Sequence, residues 1–126
     1  MLSYAPVVNA YRTTEVNTSE PLDLVIMLYE GAIYHTRRAK VAIQDGDIQK
    51  KVHAINKVLA IVEELLRSLN MEEGGQVAEN LQELYLFIMK ELTEANITSS
   101  CEKLNIVESI LSTLLEGWKE IKGQIS

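Results

Sequence analysis

Cysteine, long apolar runs and secretory features are scarce in this chain, and each scarcity excludes a class of protein. The single Cys101 rules out a disulfide within the chain and is typical of a reducing compartment. No apolar run approaches the roughly 20 residues of a membrane-spanning helix. The stretch from Met1 to Tyr11 also lacks the basic start and the apolar run of a secretory signal. We therefore expect a cytoplasmic protein without stable membrane insertion.

Positive charge is also in short supply. Twelve Lys and Arg residues face eighteen Asp and Glu, which leaves a net charge of −6. A nucleic-acid-binding protein needs a cationic face to displace counterions, so this balance argues against such a partner. Apolar residues make up 47% of the 126 residues, with only two prolines and six glycines to interrupt helices. This composition predicts one folded, largely helical domain that does not bind nucleic acid.

Residues that carry catalytic or metal chemistry are few and poorly spaced. Neither His35 nor His53 has a glutamate three residues before it, so the sequence contains no di-metal motif of the ferritin-like kind. A histidine phosphotransfer domain needs lysine and glycine closely after its histidine, whereas Lys57 comes one residue late and Val58 follows it. Cys101 has no nearby general base. We expect no enzyme activity, no metal and no cofactor.

Apolar residues recur at helical spacing in four segments, which predicts four amphipathic helices. Three of them cover about Pro21 to Gln44, Ile48 to Leu69 and Gln76 to Ala95, and Ser99 with Glu102 makes a capping box for the fourth. The breaks between the first three lie at residues 45–47 and 70–75. The inward stripe expected for the second helix is Ile48, Val52, Ile55, Leu59, Val62, Leu66 and Leu69.

Four helices of about 20 residues joined by short loops predict an all-α fold, an antiparallel up-down-up-down four-helix bundle over residues 18–126. Residues 1–17 are left over as an N-terminal arm, with room for a short cap helix around Pro6 to Tyr11. Tyr4, Val7, Val8 and Tyr11 make this arm partly apolar. We expect the arm to lie over an apolar groove of the bundle.

More apolar residues are present than the core of such a bundle needs, which is about three positions in seven. The surplus comprises Leu24, Ile26, Met27 and Leu28 in the first helix, Val58, Ile61 and Leu65 in the second, and parts of the run 84–89 in the third. Some of these side chains must form an exposed patch, which commonly marks an interaction site. The pattern by itself also allows two other interpretations, wide core faces of the helices or a homodimer contact.

Several short motifs follow one another along the chain. They are Asn9-Ala10-Tyr11, the helix start and apolar run over residues 18–33, residues 74–81 with Leu84-Tyr85, Glu94-Ala95-Asn96, and residues 117–121 around Trp118. Together they cover roughly residues 9–122, and the chain resembles the flagellar export chaperones of the FliS family. Its departures from the family pattern, such as Glu30 and Asn70 where aspartate is frequent, touch no reactive group.

The resemblance implies a cytoplasmic secretion chaperone that is not an enzyme. Its client would be the C-terminal segment of flagellin, disordered until it binds as helices in apolar grooves, and binding would prevent premature polymerisation. A component of the flagellar export gate would receive the complex of chaperone and client. Whether a co-chaperone or regulator joins as an additional partner is left open. We assign client binding to Tyr11, Met27, Leu28, Val58, Ile61, Leu65, Asn80, Tyr85, Leu86 and Met89. The alternative is a structural or homo-oligomeric helical-bundle module without client binding.

Overall fold

Four helices fill the part of the chain that the computed structural model describes, residues 10–11 and 19–125. α1 spans Ser19–Gln44, α2 Ile48–Arg67, α3 Met71–Thr98 and α4 Cys101–Ile125, with loops of two or three residues between them. α1 and α3 each pack against both α2 and α4, so the helices form a ring in chain order. The predicted four-helix bundle is confirmed. None of these helices is long and apolar enough to cross a membrane.

The loop between α1 and α2 agrees with the sequence. Gly46 adopts a left-handed φ of 70°, which a residue without a Cβ tolerates at little cost. The side chain of Asp47 then accepts a hydrogen bond from the backbone N–H of Lys50 at 3.0 Å and caps α2. The cap expected at the start of α1 from Thr18 or Ser19 concerns side chains outside the described part of the chain.

α3 begins five residues earlier than the sequence pattern predicts. The side chain of Asn70 accepts a hydrogen bond from the backbone N–H of Glu73 at 3.0 Å, so a helical turn starts at Met71 rather than at Gln76. Gly75 interrupts this turn with φ 50° and ψ −129°. The predicted break over residues 70–75 is therefore a capped turn with a kink at its end, which apolar spacing alone does not reveal.

The capping box predicted at Ser99 is wrong by one residue. Ser99 has a left-handed φ of 53° and ends α3. The hydroxyl oxygen of Ser100 accepts instead from the backbone N–H of Lys103 at 3.1 Å. Ser99 is held in its conformation by the ammonium group of Lys51 on α2, which donates to its hydroxyl at 2.9 Å. Because Ser99 is used to end one helix, the next residue caps the following one.

The buried face of α2 differs from the predicted stripe. Ile48 is 69% exposed, whereas Val58 and Leu65 are fully buried beside Ile55 and Val62. The sequence of α2 contains two overlapping stripes at three-and-four spacing, and both satisfy the helical period. Packing of α2 between α1 and α3 selects the stripe that runs through Ile55, Val58, Val62 and Leu65, while Leu59 and Leu66 border it.

Ion pairs join α1 and α4 along most of their length. Glu108 accepts from Arg37 at 2.7 Å and pairs with Lys40, and the pairs Lys119–Glu30 and Lys122–Asp23 lie further along the same seam. Burial acts to raise the pKa of Glu108, but hydrogen bonds from Lys40 and Arg37 outweigh it and lower that pKa. The partially buried Glu108 cluster therefore contributes more than a typical exposed pair.

The seam between α3 and α4 is built differently. Its ion pairs lie beside the short loop, where Lys103 binds Glu94 at 2.9 Å and Glu91 at 3.6 Å. No ion pair between described residues crosses the remainder of this seam, which is the least extensively packed of the four. α3 and α4 therefore depend on apolar contacts over most of their shared length.

The two kinds of apolar position on α3 can be separated by mutation. Ile88 is 0% exposed and Leu86 is 52% exposed. We expect Ile88→Ala to lower the free energy of unfolding by about 2–5 kcal/mol because it opens a cavity. Leu86→Gln keeps the side-chain length at an exposed position and should cost less than about 1 kcal/mol. Urea denaturation followed by circular dichroism measures both values, and equal losses would assign Leu86 to the core.

Candidate functional site

Three tyrosines meet inside one end of the bundle and form what we call the tyrosine cluster, Tyr11, Tyr29 and Tyr85. Tyr29 on α1 and Tyr85 on α3 lie on helices at opposite corners of the ring, and their hydroxyl oxygens are 2.6 Å apart. The hydroxyl of Tyr11 hydrogen-bonds that of Tyr85 as well. All three rings are buried, with Tyr11 the most exposed at 5%. A residue from outside the four helices thus completes a polar cluster in their core.

The indole ring of Trp118 on α4 packs against the ring of Tyr11. The two rings meet edge to face, with centroids 5.5 Å apart and an interplanar angle of 74°. Tyr29 lies on another side of the indole at a centroid distance of 6.3 Å. The buried indole nitrogen of Trp118 makes no hydrogen bond of normal geometry with any residue that the structure describes. One donor at this site is therefore left for another acceptor.

Gly74 allows the backbone at Ala10 to approach α3 closely. The carbonyl of Ala10 accepts from the backbone N–H of Asn70 at 2.7 Å. A methyl group at Gly74 would lie 2.8 Å from the Cα of Ala10 and 2.7 Å from the Cβ of Ala78, both closer than real contacts allow. We call Ala10–Tyr11 the seated dipeptide, because a backbone hydrogen bond and a buried ring hold it on the bundle. These two residues are the part of the predicted arm that the structure describes.

Burial dominates the ionisation of the cluster. It raises the pKa of Tyr29 to about 12, against smaller lowering effects of Tyr85 and the Trp118 indole. Burial also raises the pKa values of Tyr85 and Tyr11 above their ordinary range, and the charge of the Tyr29 phenolate adds to this effect in both. The three phenols are therefore neutral at physiological pH and act as hydrogen-bonding groups.

An apolar groove between α3 and α4 adjoins the seated dipeptide. It has a volume of about 210 Å³ and is lined by Val77, Leu81, Thr113, Leu114, Gly117, Trp118 and Ile121. Trp118 belongs to both the groove and the aromatic surroundings of Tyr11. We call this feature the α3–α4 groove. It lies in the seam that lacks the ion pairs found between α1 and α4.

The residues assigned to client binding from the sequence fall into three groups. Met27 (61%), Leu86 (52%) and Asn80 are exposed, Leu28, Ile61 and Met89 are half-buried, and Tyr11, Val58, Leu65 and Tyr85 are buried. The structure brings Tyr11 and Tyr85 into contact. It places Val58 and Leu65 in the core, where they offer no surface in this conformation. A role for these residues in binding stays a prediction.

Sequence reasoning missed the residues that line the α3–α4 groove. Helical spacing places Val77, Leu114 and Ile121 on the inward apolar stripes of their helices. They are also continuous with the core, but a gap between the two helices opens their sides to the surface. No one-dimensional signal distinguishes a stripe that is fully covered from one that borders a groove. Phe87, 42% exposed, was likewise not assigned to the site.

Comparison with known proteins agrees with this architecture. Residues 4–125 match the family described as flagellar protein FliS. The chain belongs to the FliS family. A flagellar secretion chaperone FliS of Campylobacter jejuni is 37% identical over 90% of this chain and 88% of its own length. Those of Salmonella typhimurium and Bacillus subtilis are 34% and 30% identical, each over 88% of this chain and 83% and 82% of their own lengths.

The FliS family is a family of secretion chaperones, which is not a class of enzyme. The described residues contain no group of three or more His, Cys, Asp or Glu side chains that could hold a metal ion. His35 and His53 lie at the boundary and on the surface of the bundle, as expected. The site described above is built from apolar side chains, three phenols and one indole.

The tyrosine cluster makes the fold sensitive to alkaline pH. A group whose pKa is raised on folding stabilises the protein below its unfolded pKa, here 10.0, and loses that contribution as pH rises through the folded pKa. We expect the free energy of unfolding to fall steadily between pH 10.0 and about 12. Phenolate absorbance and circular dichroism, recorded together, measure this. Ionisation of all five tyrosines near pH 10.0 with the helices intact would contradict the assignment.

Gly74→Ala should displace the seated dipeptide and leave the bundle folded. The new methyl group overlaps Ala10 and Ala78, so we expect a loss of about 1–3 kcal/mol in the free energy of unfolding. Trp118, the single tryptophan, reports the displacement as a red-shifted fluorescence spectrum because it loses the cover of Tyr11. Gly123→Ala is the matched control, since a methyl group there meets nothing within 4 Å. Unchanged fluorescence in Gly74→Ala would show that the dipeptide tolerates the methyl group.

Proposed function

We propose that this chain binds the C-terminal segment of flagellin in the cytoplasm, prevents its premature polymerisation and delivers it to the flagellar type III export apparatus. The relatives named above are flagellar secretion chaperones, and a secretion chaperone must hold a client that is not yet folded or assembled. Polymerisation is prevented if the segment that flagellin uses for self-association is occupied. A component of the export gate then receives the complex.

The observation that carries this proposal is the seat of Ala10–Tyr11. The end of the bundle accepts a short piece of chain through one backbone hydrogen bond, one buried ring and an aromatic contact with Trp118. A client segment with a large apolar side chain can use the same three interactions. We propose that the N-terminal arm covers this site in the free protein and moves aside when client enters.

Exposed apolar side chains on two helices extend the surface beyond the seat. Leu24 and Met27 of α1 are 52% and 61% exposed, and Leu86 and Phe87 of α3 are 52% and 42% exposed. A single groove of about 210 Å³ holds only a few side chains. A disordered segment loses conformational entropy on binding, so it needs a wide interface with several anchor points. We propose that the client wraps the bundle as helices laid in successive grooves.

The proposal assigns different roles to the residues predicted from the sequence. Met27, Leu86 and Met89 would contact the client directly, while Tyr85 would become accessible when Tyr11 leaves. Val58 and Leu65 would support the surface from behind, because both are fully buried. Asn80 is exposed and accepts a hydrogen bond from Gln76 at 2.9 Å, so it would border the site as a polar rim.

A homo-oligomeric bundle without a client is the alternative, and exposed apolar residues would also suit it. The two differ in the oligomeric state of the free protein. A stable dimer that hides Leu24, Met27, Leu86 and Phe87 leaves no surface for a client. Size-exclusion chromatography with light scattering, at several protein concentrations, distinguishes the two.

Calorimetric titration with the C-terminal segment of the cognate flagellin tests the chaperone proposal. We expect a 1:1 complex with a negative heat-capacity change, because a folding peptide buries apolar surface. An N-terminal flagellin segment of equal length should give no heat at the same concentrations. Leu86→Gln should weaken binding by about 1 kcal/mol or more if Leu86 lines a client groove.

The control for that variant is Gln82→Ala, a change at an exposed polar position on the same helix. It should leave both the affinity and the free energy of unfolding within about 0.5 kcal/mol of the parent. No detectable heat with the C-terminal segment, together with no shift on a native gel, would rule the proposal out.

A further inference from the structure

Positive charge is concentrated in one part of this acidic chain. Residues 34–57 contain six Lys and Arg against two Asp, a net charge of +4. The whole chain carries −6, so all other residues together carry −10. The cationic part covers the second half of α1, the following loop and the first half of α2. A local excess of this size, against the sign of the whole molecule, indicates a surface for an anionic group.

Three of these six cationic residues, Arg37, Arg38 and Lys50, line a cleft. It has a volume of about 540 Å³, within the range of ligand-binding pockets, and lies between α1 and α2 beside their connecting loop. The side chains used below are Tyr34, His35, Arg38, Val41, Lys50 and His53, and Asp45 is the carboxylate in its lining. We call this feature the cationic cleft. Its two large apolar members, Tyr34 and Val41, are each 54% exposed.

Arg38 is oriented within the cleft by Tyr34. Its guanidinium carbon lies 5.5 Å from the centroid of the tyrosine ring, and it donates to the phenolic oxygen at 3.2 Å. Among the described residues no carboxylate forms an ion pair with Arg38. This differs from Arg37, which also lines the cleft but is bound to Glu108. Arg38 is therefore a positioned cation whose charge is not neutralised by a carboxylate of any described residue.

The positive potential of the cleft affects His35. Burial lowers the pKa of this imidazole, and the charges of Lys57, Arg38 and His53 lower it further. Burial acts against a charge of either sign, but the neighbouring cations disfavour a further positive charge and favour an anion. At neutral pH the imidazoles of His35 and His53 can still donate hydrogen bonds to a carboxylate.

We propose that the cationic cleft binds a short acidic segment of a second protein, whose carboxylates pair with Arg38 and Lys50 and whose apolar side chain packs on Tyr34 and Val41. Shape and charge both favour such a segment. A concave cleft of about 540 Å³ accommodates a few side chains. A nucleic acid or an anionic membrane presents a long array of charge, which would also meet the remaining −10 of the chain. A short segment contacts only the positively charged cleft and avoids the acidic remainder of the surface.

This surface is separate from the proposed client site. The cleft adjoins the loop at residues 45–47, while the seated dipeptide contacts Asn70 and Gly74 at the loop between α2 and α3. These loops lie at opposite ends of α2, which is 20 residues or about 30 Å long. A client side chain in the seat of Ala10–Tyr11 would therefore leave the cationic cleft open to an acidic partner.

Nuclear magnetic resonance titration of the full chain tests this inference. The probe is an acetylated peptide in which glutamates and aspartates flank a leucine, and the control peptide carries glutamine and asparagine in their places. We expect shifts of the His35, His53 and Arg38 signals with the acidic peptide at a Kd on the order of 100 μM, typical of a small polar interface. Raising the ionic strength from about 0.05 M to about 0.5 M should weaken binding at least tenfold.

Arg38→Glu should weaken binding of the acidic peptide at least tenfold, and Arg38→Gln should weaken it less. Lys90→Glu makes the same charge change at an exposed site on α3 and is the matched control. Circular dichroism verifies that each variant is folded. The inference is overturned if the acidic peptide produces no shifts, if the neutral peptide binds equally well, or if Lys90→Glu has the same effect. Preferential binding of duplex DNA or phosphatidylserine vesicles would also overturn it.

Discussion

Three buried phenol groups constrain this bundle more than any other set of contacts. A buried hydroxyl must find a hydrogen-bond partner, and Tyr85 provides one for both Tyr29 and Tyr11. The first bond joins α1 to α3 across the ring, and the second holds Tyr11 of the seated dipeptide on the bundle. If Tyr11 leaves, Tyr29 and Tyr85 still pair with each other. Release of Tyr11 therefore leaves neither of these two hydroxyls without a hydrogen-bond partner.

Different seams of the ring are held together by different interactions. Ion pairs along α1 and α4, centred on the partially buried Glu108, hold those helices together. The seam between α3 and α4 lacks such pairs over most of its length and contains the apolar groove next to Trp118. This incompletely packed seam opens directly beside the seated dipeptide.

Much of the architecture follows from the order of residues because the information is local. The four helices, the left-handed turn at Gly46 and the cap at Asp47 each depend on a few neighbouring residues. The errors have particular explanations. Asn70 caps a helical turn that the spacing of apolar residues does not indicate. Ser99 ends α3, and its hydroxyl accepts a hydrogen bond from Lys51, which lies 48 positions earlier in the chain. Contacts at that separation cannot be read from a window of sequence.

The sequence by itself determined the fold class, the family and the surplus of apolar side chains, since composition, helical period and motif order are properties of the chain. It did not determine where that surplus lies. Both stripes of α2 satisfy the helical period, and only packing between α1 and α3 buried Val58 and exposed Ile48. The tertiary structure likewise decided that Gly74 faces Ala10, that Tyr11 meets Tyr85, and that α3 and α4 leave a groove. These features join residues that are distant in sequence, and their positions are set by how whole helices pack.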